Sequence, residues 1–244
     1  MRSGVYKFAG VPVRITSQYD AVHLMCRAYA VDDEPALSVC TTMEDIECER
    51  RMSMAEHPGE AADAYPEAYL ETLAVYRRMA VALLDHDVLL IHGSAIAAEG
   101  EGLLFTALSG TGKSTHTRLW RQMLGGRFMM VNDDKPLIAV GAGDAPAMVC
   151  GTPWDGKHHL SNNVACPLRA IVHLMRGQEN SIRECDAAEM FPTLLQQTYT
   201  TPDPAVMAKT LELLSRLCGK VRFYELRCNM APEAAEVAYK GIFA

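Results

Sequence analysis

The first quarter of the chain alternates hydrophobic and polar residues over short stretches. Residues 5–16 alternate in this way, which predicts a β-hairpin. The stretches 21–31 and 36–41 predict further short strands, whereas the charged stretch 43–64 is typical of a linker or a partly helical connection. Together these patterns predict a small β-rich N-terminal lobe with its connection over residues 1–64.

The pattern then changes, and residues 65–244 are predicted to form a separate core. Pro66 precedes apolar residues at helical spacing, so a helix is predicted to begin there and to end near residue 85. The largely apolar run 88–96 predicts a buried strand, which turns back into a second strand at 102–106. These two strands are predicted to be neighbours in one sheet.

Strands and helices alternate through the rest of the chain, and no internal repeat interrupts them. The pattern predicts, in order, a helix at 115–124, a strand at 127–132, a hairpin at 136–150, a strand at 168–175, helices at 186–197 and 204–218, a strand at 221–226 and a last helix from Pro232. The predicted fold class is therefore α/β.

The turn between the strand at 102–106 and the next helix has the spacing of a phosphate-binding loop. Residues 107–115 read Ala-Leu-Ser-Gly-Thr-Gly-Lys-Ser-Thr. A strand, such a turn and a helix start surround one anion with backbone N–H groups and the positive end of a helix dipole. The residues predicted to bind the phosphates of a nucleotide are Ser109, Gly110, Thr111, Gly112, Lys113, Ser114 and Thr115.

Each residue type in this turn has a physical reason to be there. Gly110 and Gly112 allow backbone angles closed to other residues and let the chain pass close to phosphate oxygens. Lys113 supplies a mobile positive charge for the β- and γ-phosphates, and the Ser114 hydroxyl suits a Mg²⁺ ligand. The pattern G-x-x-x-x-G-K-[ST] asks for glycine where this chain has Ala107, which fits only if its φ is negative. An ordinary capped glycine turn is the alternative.

Two adjacent carboxylates follow the strand predicted after the helix of this loop. Only 20 positions separate Lys113 from Asp133, which leaves room for one helix and one strand, so Asp133 and Asp134 are expected beside the loop. One carboxylate would hold Mg²⁺, and the other would accept a proton from an attacking hydroxyl. Adjacent residues of an extended segment point apart, so the pair requires a bend. A solvated turn before Pro136 is the alternative.

Two further stretches carry candidate residues for the same site. His92 lies in an apolar run, where it is either a core residue with its hydrogen bonds satisfied or a neighbour of the metal and carboxylates. Gly93, directly after it, indicates that another backbone segment approaches closely. The stretch 151–159 combines turn residues with Trp154, Lys157 and two histidines, which suits a loop over a polyanionic ligand. Lys157 is the candidate for contact with the transferred phosphate or with the acceptor. A turn with Trp154 in the core is the alternative.

Composition excludes several classes of protein. With 49% hydrophobic and 22% charged residues, the 244-residue chain can bury a full core. A net charge of −7 gives no basic face for nucleic acid. No stretch is apolar enough for a membrane span or a signal peptide, so we expect a cytoplasmic protein without a membrane partner. The eight cysteines are scattered, which predicts packing residues rather than a structural metal.

Three of these motifs together resemble one known superfamily. His92-Gly93-Ser94-Ala95, residues 108–114 and Asp133-Asp134 are similar in order and spacing to the superfamily shared by HPr kinase/phosphorylase and ATP-dependent phosphoenolpyruvate carboxykinase. The resemblance covers residues 88–160. It implies a mixed-sheet P-loop kinase core in the α/β class, to which the N-terminal β-rich lobe is added.

The resemblance also implies roles for the candidate residues. Lys113, Ser114 and the loop amides would hold ATP with Mg²⁺, and His92 would lie beside the metal and the carboxylates. Asp134 would act as the base or as a metal partner, and Asp133 as its Mg²⁺-linked companion, with the reverse assignment left open. Ser114, Asp133 and Asp134 are thus the predicted metal ligands.

Departures from the two relatives favour a kinase. Carboxykinases are larger and use a lysine upstream of the histidine strand, whereas residues 8–112 contain no lysine, and Lys135 replaces the glutamate that follows their Asp pair. The downstream glycine-rich signature of HPr kinases is replaced here by residues 151–159. The sequence predicts a compact ATP-dependent kinase that transfers the γ-phosphoryl group to a hydroxyl, of Ser or Thr in a peptide or small protein.

Two other functions stay open at this point. One is a nucleotide-binding regulatory module without transfer activity, and the other is a carboxykinase-like enzyme. The sequence is also compatible with either ATP or GTP, with a phosphorylase back-reaction and with a homo-oligomer.

Overall fold

A computed structural model describes residues 1–56 and 64–244, with the side chains of Glu56 and Lys157 excepted. Residues 57–63, which belong to the predicted linker, lie outside the described residues. No helix in the described ranges combines the length and the apolar character that a membrane crossing requires.

The chain forms two compact units, Met1–His86 and Asp87–Ala244. The strands and helices of the first unit are β1 (Arg2–Phe8), β2 (Val11–Ser17), α1 (Ala21–Met25), β3 (Leu37–Cys40), α2 (Met43–Glu56) and α3 (Glu67–Ala82). Its sheet has the order β1-β2-β3, with β1 antiparallel and β3 parallel to β2. The hairpin expected at 5–16 is present, and Ala9 and Gly10 turn it with φ values of 49° and 85°.

Residues 21–31 are not a strand, and this prediction was wrong. They form α1 and a 3₁₀ turn at Arg27–Tyr29. The buried residues are Val22, Cys26 and Tyr29, which recur at intervals of four and three and therefore follow a helical period rather than a strand period. The charged stretch after residue 42 begins as a regular helix, α2.

The helix expected after Pro66 is present as α3, and a buried carboxylate joins it to the first unit. Glu71 is 1% exposed. Its oxygens accept hydrogen bonds from the backbone N–H groups of Gln18 (2.7 Å) and Tyr19 (2.8 Å) and from Thr41 Oγ1 (2.6 Å). Because α3 is bonded in this way to the ends of β2 and β3, the unit boundary follows His86 rather than residue 64.

Replacing Glu71 with alanine should lower the free energy of unfolding by about 3 kcal/mol, since three donors, one of them fully buried, lose a charged acceptor. Denaturant unfolding of the full chain measures this loss. Glu44→Ala, an exposed glutamate in the first turn of α2, is the matched control and should change the free energy little. Equal effects of the two substitutions would contradict the structural role of Glu71.

The second unit is a mixed α/β layer structure. Its elements are β4 (Val88–Leu90), β5 (Ser94–Ala98), β6 (Glu101–Thr106), α4 (Lys113–Leu124), β7 (Phe128–Asn132), β8 (Leu137–Ala139), β9 (Met148–Cys150), β10 (Ala165–Arg176), β11 (Ser181–Cys185), α5 (Ala187–Gln197), α6 (Pro204–Cys218), β12 (Arg222–Cys228) and α7 (Glu233–Phe243). The strands of residues 87–244 form one nine-stranded sheet.

The centre of this sheet carries the phosphate-loop strand. β6 is parallel to β10 and antiparallel to β5, and β5 pairs on its other side with β7. α4 and α7 cover the same side of these strands, and Trp120 of α4 packs in the core with Phe105 of β6 and Ala238 of α7. The predicted hairpin between the histidine strand and the loop strand is confirmed.

Two local details differ from the sequence pattern. The apolar run 88–96 is two strands rather than one, because β4 pairs with β8 whereas β5 pairs with β6 and β7. His92 and Gly93 lie at the break between them. β11 was not predicted, because it pairs only with β12 and its residues are mostly exposed, so its sequence lacks an apolar signal.

Candidate active site

The phosphate-loop candidate joins the end of β6 to the first residue of α4. Gly110 and Gly112 have φ values of 75° and 122°, which glycine adopts without strain. A Cβ atom at either position would meet nothing within 4 Å, so the space over the loop is open. Ala107 does not have a positive φ, which meets the condition for alanine at this position.

Lys113 lies inside this loop rather than in solvent. Its Nζ donates a hydrogen bond to the carbonyl oxygen of Ala107 (3.0 Å), and the residue is 9% exposed. Burial lowers the pKa of the ammonium, while the charges of Asp134 and Asp133 act to raise it. A buried ammonium next to two carboxylates is therefore held at the start of α4.

Asn132 provides the bend that the two aspartates require. Its Oδ1 accepts hydrogen bonds from the backbone N–H groups of Asp134 (2.9 Å) and Lys135 (2.6 Å). Its Nδ2 donates to the carbonyl oxygen of Thr152 (2.9 Å), which fixes the amide from the other side. Sequence reasoning missed this residue, although an asparagine at a strand end is a recognised turn former.

The two carboxylates of the bend have different partners. Asp133 is 7% exposed and its Oδ1 accepts a hydrogen bond from Ser94 Oγ (2.6 Å). Asp134 Oδ1 lies 3.4 Å from His92 Nε2, and its Oδ2 lies 3.8 Å from Lys135 Nζ. Burial acts to raise the pKa of Asp134, but His92, Lys135 and Lys113 outweigh it and hold the pKa below its usual value. Asp134 is therefore a carboxylate at neutral pH.

His92 is held next to Asp134 by a residue far away in the sequence. Its backbone N–H donates to the carbonyl oxygen of Gln197 (2.8 Å), and its Nδ1 lies 3.2 Å from Gln197 Oε1. Its Nε2 is thereby directed to Asp134. The histidine thus neighbours the carboxylates, and Gln197, at the end of α5, gave no sequence signal because it lies 105 positions away.

Gly93 allows the close backbone approach that the sequence indicated. Its N–H donates to the carbonyl oxygen of Asp134 (3.0 Å). A Cβ atom at this position would lie 2.7 Å from Leu104 Cδ1 and 2.7 Å from the carbonyl oxygen of Phe105.

Gly93→Ala should destabilise the protein by about 1–3 kcal/mol, because the backbone of β6 cannot move away from the new methyl group. Thermal unfolding measures the loss. Gly126→Ala is the control, since a Cβ there meets nothing within 4 Å. If the two substitutions lower the unfolding midpoint equally, the close approach at Gly93 is not the cause.

The stretch 151–159 lies against the aspartate bend. A Cβ atom at Gly156 would be 3.2 Å from Asp134 Cβ, so glycine lets the two segments touch. Trp154 is 5% exposed, which favours the core alternative over a flat ligand-contact surface. The backbone of Lys157 belongs to a 3₁₀ turn at Gly156–His158, and its side chain lies outside the described residues.

A cleft of 680 Å³ opens beside the start of α4. Ser114 and Asp133 both line it, whereas Asp134, which lies next to His92, is not one of its lining residues. Among the described residues, no three His, Cys, Asp or Glu side chains converge as a metal cage. The residues that line the cleft are Ser114, Thr115, Thr117, Arg118, Arg121, Phe128, Met129, Met130, Asp133, His158, His159, Leu160, Ser161 and Asn162.

Comparisons with known proteins identify no family for this chain. No family model matches the chain, and no curated protein matches it. Among solved structures, the HPr(Ser) kinase/phosphatase from Coxiella burnetii is similar over 52% of this chain and 90% of its own, with 13% sequence identity and a TM-score of 0.29. A TM-score of this size supports no conclusion about function. Function is therefore inferred from the residues and geometry of the site.

Proposed function

We propose that this protein is an ATP-dependent kinase that transfers the γ-phosphoryl group to the hydroxyl of a Ser or Thr in a peptide or small protein. One observation carries the proposal. An open glycine turn at the start of α4 holds a buried lysine, Lys113, close to the Asp133-Asp134 bend, and Ser114 and Asp133 line one cleft. This combination of groups matches what phosphoryl transfer requires.

The loop would bind the triphosphate through backbone groups and one side chain. The N–H groups of the first turn of α4 have no partner within the helix and coincide with the positive end of its dipole. Lys113 would exchange its bond to the Ala107 carbonyl for phosphate oxygens. Burial destabilises the charged form of Lys113 and lowers its pKa. A bound phosphate would stabilise that charge.

The oxygen donors of the cleft fit Mg²⁺. This ion prefers hard oxygen ligands and takes only one or two carboxylates together with substrate phosphates and water. Ser114 Oγ and the Asp133 carboxylate are such donors on one cleft, and the Asp133–Ser94 hydrogen bond fixes the orientation of the carboxylate. When bound, the ion would neutralise charge on the β- and γ-phosphate oxygens.

The transfer step needs an acceptor oxygen and a base. The acceptor oxygen forms a bond to the γ-phosphorus, the bond from the γ-phosphorus to the bridging oxygen breaks, and ADP leaves. The hydroxyl proton passes to the Asp134 carboxylate, whose Oδ1 lies 3.4 Å from His92 Nε2. Lys113 stabilises the negative charge in the transition state.

The experiment that tests this proposal has two stages. Calorimetry first measures ADP binding with and without Mg²⁺, and then γ-labelled ATP is supplied with serine- and threonine-containing peptides. Binding followed by labelled peptide supports the kinase. ADP binding without transfer to any acceptor would instead favour a nucleotide-binding regulatory module, and absence of ADP binding would refute both.

A further inference from the structure

We infer that the acceptor carries negative charge close to its hydroxyl, and specifically that it is a peptide with an acidic residue near the accepting Ser or Thr. This inference rests on the proposed kinase function and concerns the cleft beside α4. Its basis is the pair Arg118 and Arg121, which line this cleft with Ser114 and Asp133.

These two arginines differ from the other arginines in residues 87–244 in the partners of their guanidinium groups. Neither guanidinium has a hydrogen-bond or ion-pair partner among the described residues, although acidic residues outnumber basic ones in the chain by 30 to 23. The other seven are held by carboxylates or carbonyl oxygens, namely Arg127, Arg169, Arg176, Arg183, Arg216, Arg222 and Arg227.

The helix itself provides no counter-charge. α4 contains no Asp or Glu, so neither Arg118 nor Arg121 can form the i,i+4 pairs that usually neutralise helical arginines. Ser114, Arg118 and Arg121 are spaced by four and three residues and therefore follow one face of the helix. The free positive charges are thus directed into the cleft that carries the proposed Mg²⁺ ligands.

The spacing along α4 gives the expected position of the acidic group. A helix rises about 1.5 Å per residue, which sets Arg118 roughly 6 Å and Arg121 roughly 10 Å along the axis from Ser114. An extended peptide advances about 3.3 Å per residue. A carboxylate two or three residues from the accepting hydroxyl would reach these guanidiniums.

The remaining lining of the cleft suits a peptide rather than a highly charged small molecule. Met129 and Leu160 are 45% and 37% exposed and line the same cleft. Exposed apolar side chains in the same cleft as basic ones match a peptide that has apolar and acidic residues. Charge-assisted bonds from arginine to carboxylate would set the register of such a peptide.

The test uses peptides of one length with a single serine, in which glutamate or glutamine occupies each flanking position in turn. Initial rates of transfer from γ-labelled ATP are measured for the wild-type protein. Glutamate two or three residues from the serine should raise kcat/KM about fivefold over glutamine, and the gain should fall at high salt. The double substitution Arg118→Glu and Arg121→Glu should reverse the preference, so that lysine-flanked peptides become better substrates.

Controls separate this inference from the proposed function. Arg227→Ala removes an exposed arginine that pairs with Glu225 (3.2 Å) and should retain the acidic preference. ADP affinity of each variant checks that the loop is folded. Transfer without any acidic preference, or a preference that survives the charge reversal, overturns the inference alone. Intact ADP binding with transfer to no peptide overturns the proposed acceptor class and the inference together.

Discussion

Replacing Lys113 with alanine is expected to reduce phosphoryl transfer by at least about a hundredfold, the usual loss when a preorganised donor to transition-state charge is removed. Lys113 is the positive side chain of the loop itself, and its ammonium lies beside the Ala107 carbonyl and both aspartates. Alanine leaves the glycine turn in place but removes the charge that stabilises the transferred phosphoryl group. Transfer from labelled ATP to any accepted peptide measures the effect.

The same variant separates function from stability. Burial lowers the pKa of Lys113, which means that the folded state disfavours the charged form relative to the unfolded chain. Removing this disfavoured charge offsets part of the loss of the hydrogen bond to Ala107, so Lys113→Ala should change the thermal unfolding midpoint only slightly. Lys240→Ala, at an exposed lysine paired with Glu236, is the matched control and should keep full transfer. Undiminished turnover by Lys113→Ala would reject this site.

Asp134→Asn is expected to lower kcat by about a hundredfold to ten-thousandfold, the range for loss of a general base. The carboxylate is ionised at neutral pH because His92, Lys135 and Lys113 lower its pKa despite burial. Asparagine has nearly the same shape but cannot accept the hydroxyl proton. Single-turnover transfer measures the chemical step, and ADP affinity with Mg²⁺ should stay close to that of the wild-type protein.

Asp133→Asn distinguishes the two aspartates. If Asp133 is the Mg²⁺ partner, this substitution should weaken Mg²⁺-dependent ADP binding, which Asp134→Asn should spare. Asp144→Asn, an exposed residue of the β8–β9 turn, serves as the control for both. Loss of Mg²⁺-dependent binding in Asp134→Asn, with binding intact in Asp133→Asn, would exchange the two roles.

Much of the second unit was predictable because its signals are local. The glycine turn, the lysine and the start of α4 are adjacent in sequence, so their spacing alone indicates a phosphate loop. The helices α5, α6 and α7 and the strand β12 follow apolar periods and were predicted. At residues 21–31 the spacing of the apolar residues was ambiguous. A strand was predicted there, although the three buried residues have helical spacing.

The aspartate pair shows the limit of local reasoning. Its spacing from Lys113 predicts that it lies near the loop, and its need for a bend is also a local argument. Asn132 is held in the bend because its Nδ2 donates a hydrogen bond to the carbonyl oxygen of Thr152, which is 20 positions away in the sequence. The partners of the two carboxylates are Ser94, the first residue of β5, and His92, at the break before it, and only the pairing of the sheet brings them to the bend.

By itself the sequence determined the α/β class, the loop at 107–115 and the presence of two carboxylates after the following strand, because each depends on residues within a few positions. The tertiary structure decided which carboxylate lines the cleft, that Gln197 holds His92 and that α3 belongs with the first unit. It also left Arg118 and Arg121 unpaired within the part of the chain that the structure describes. The reason is physical: spacing along a chain fixes local geometry, whereas contacts between distant segments depend on how the whole sheet and its helices pack.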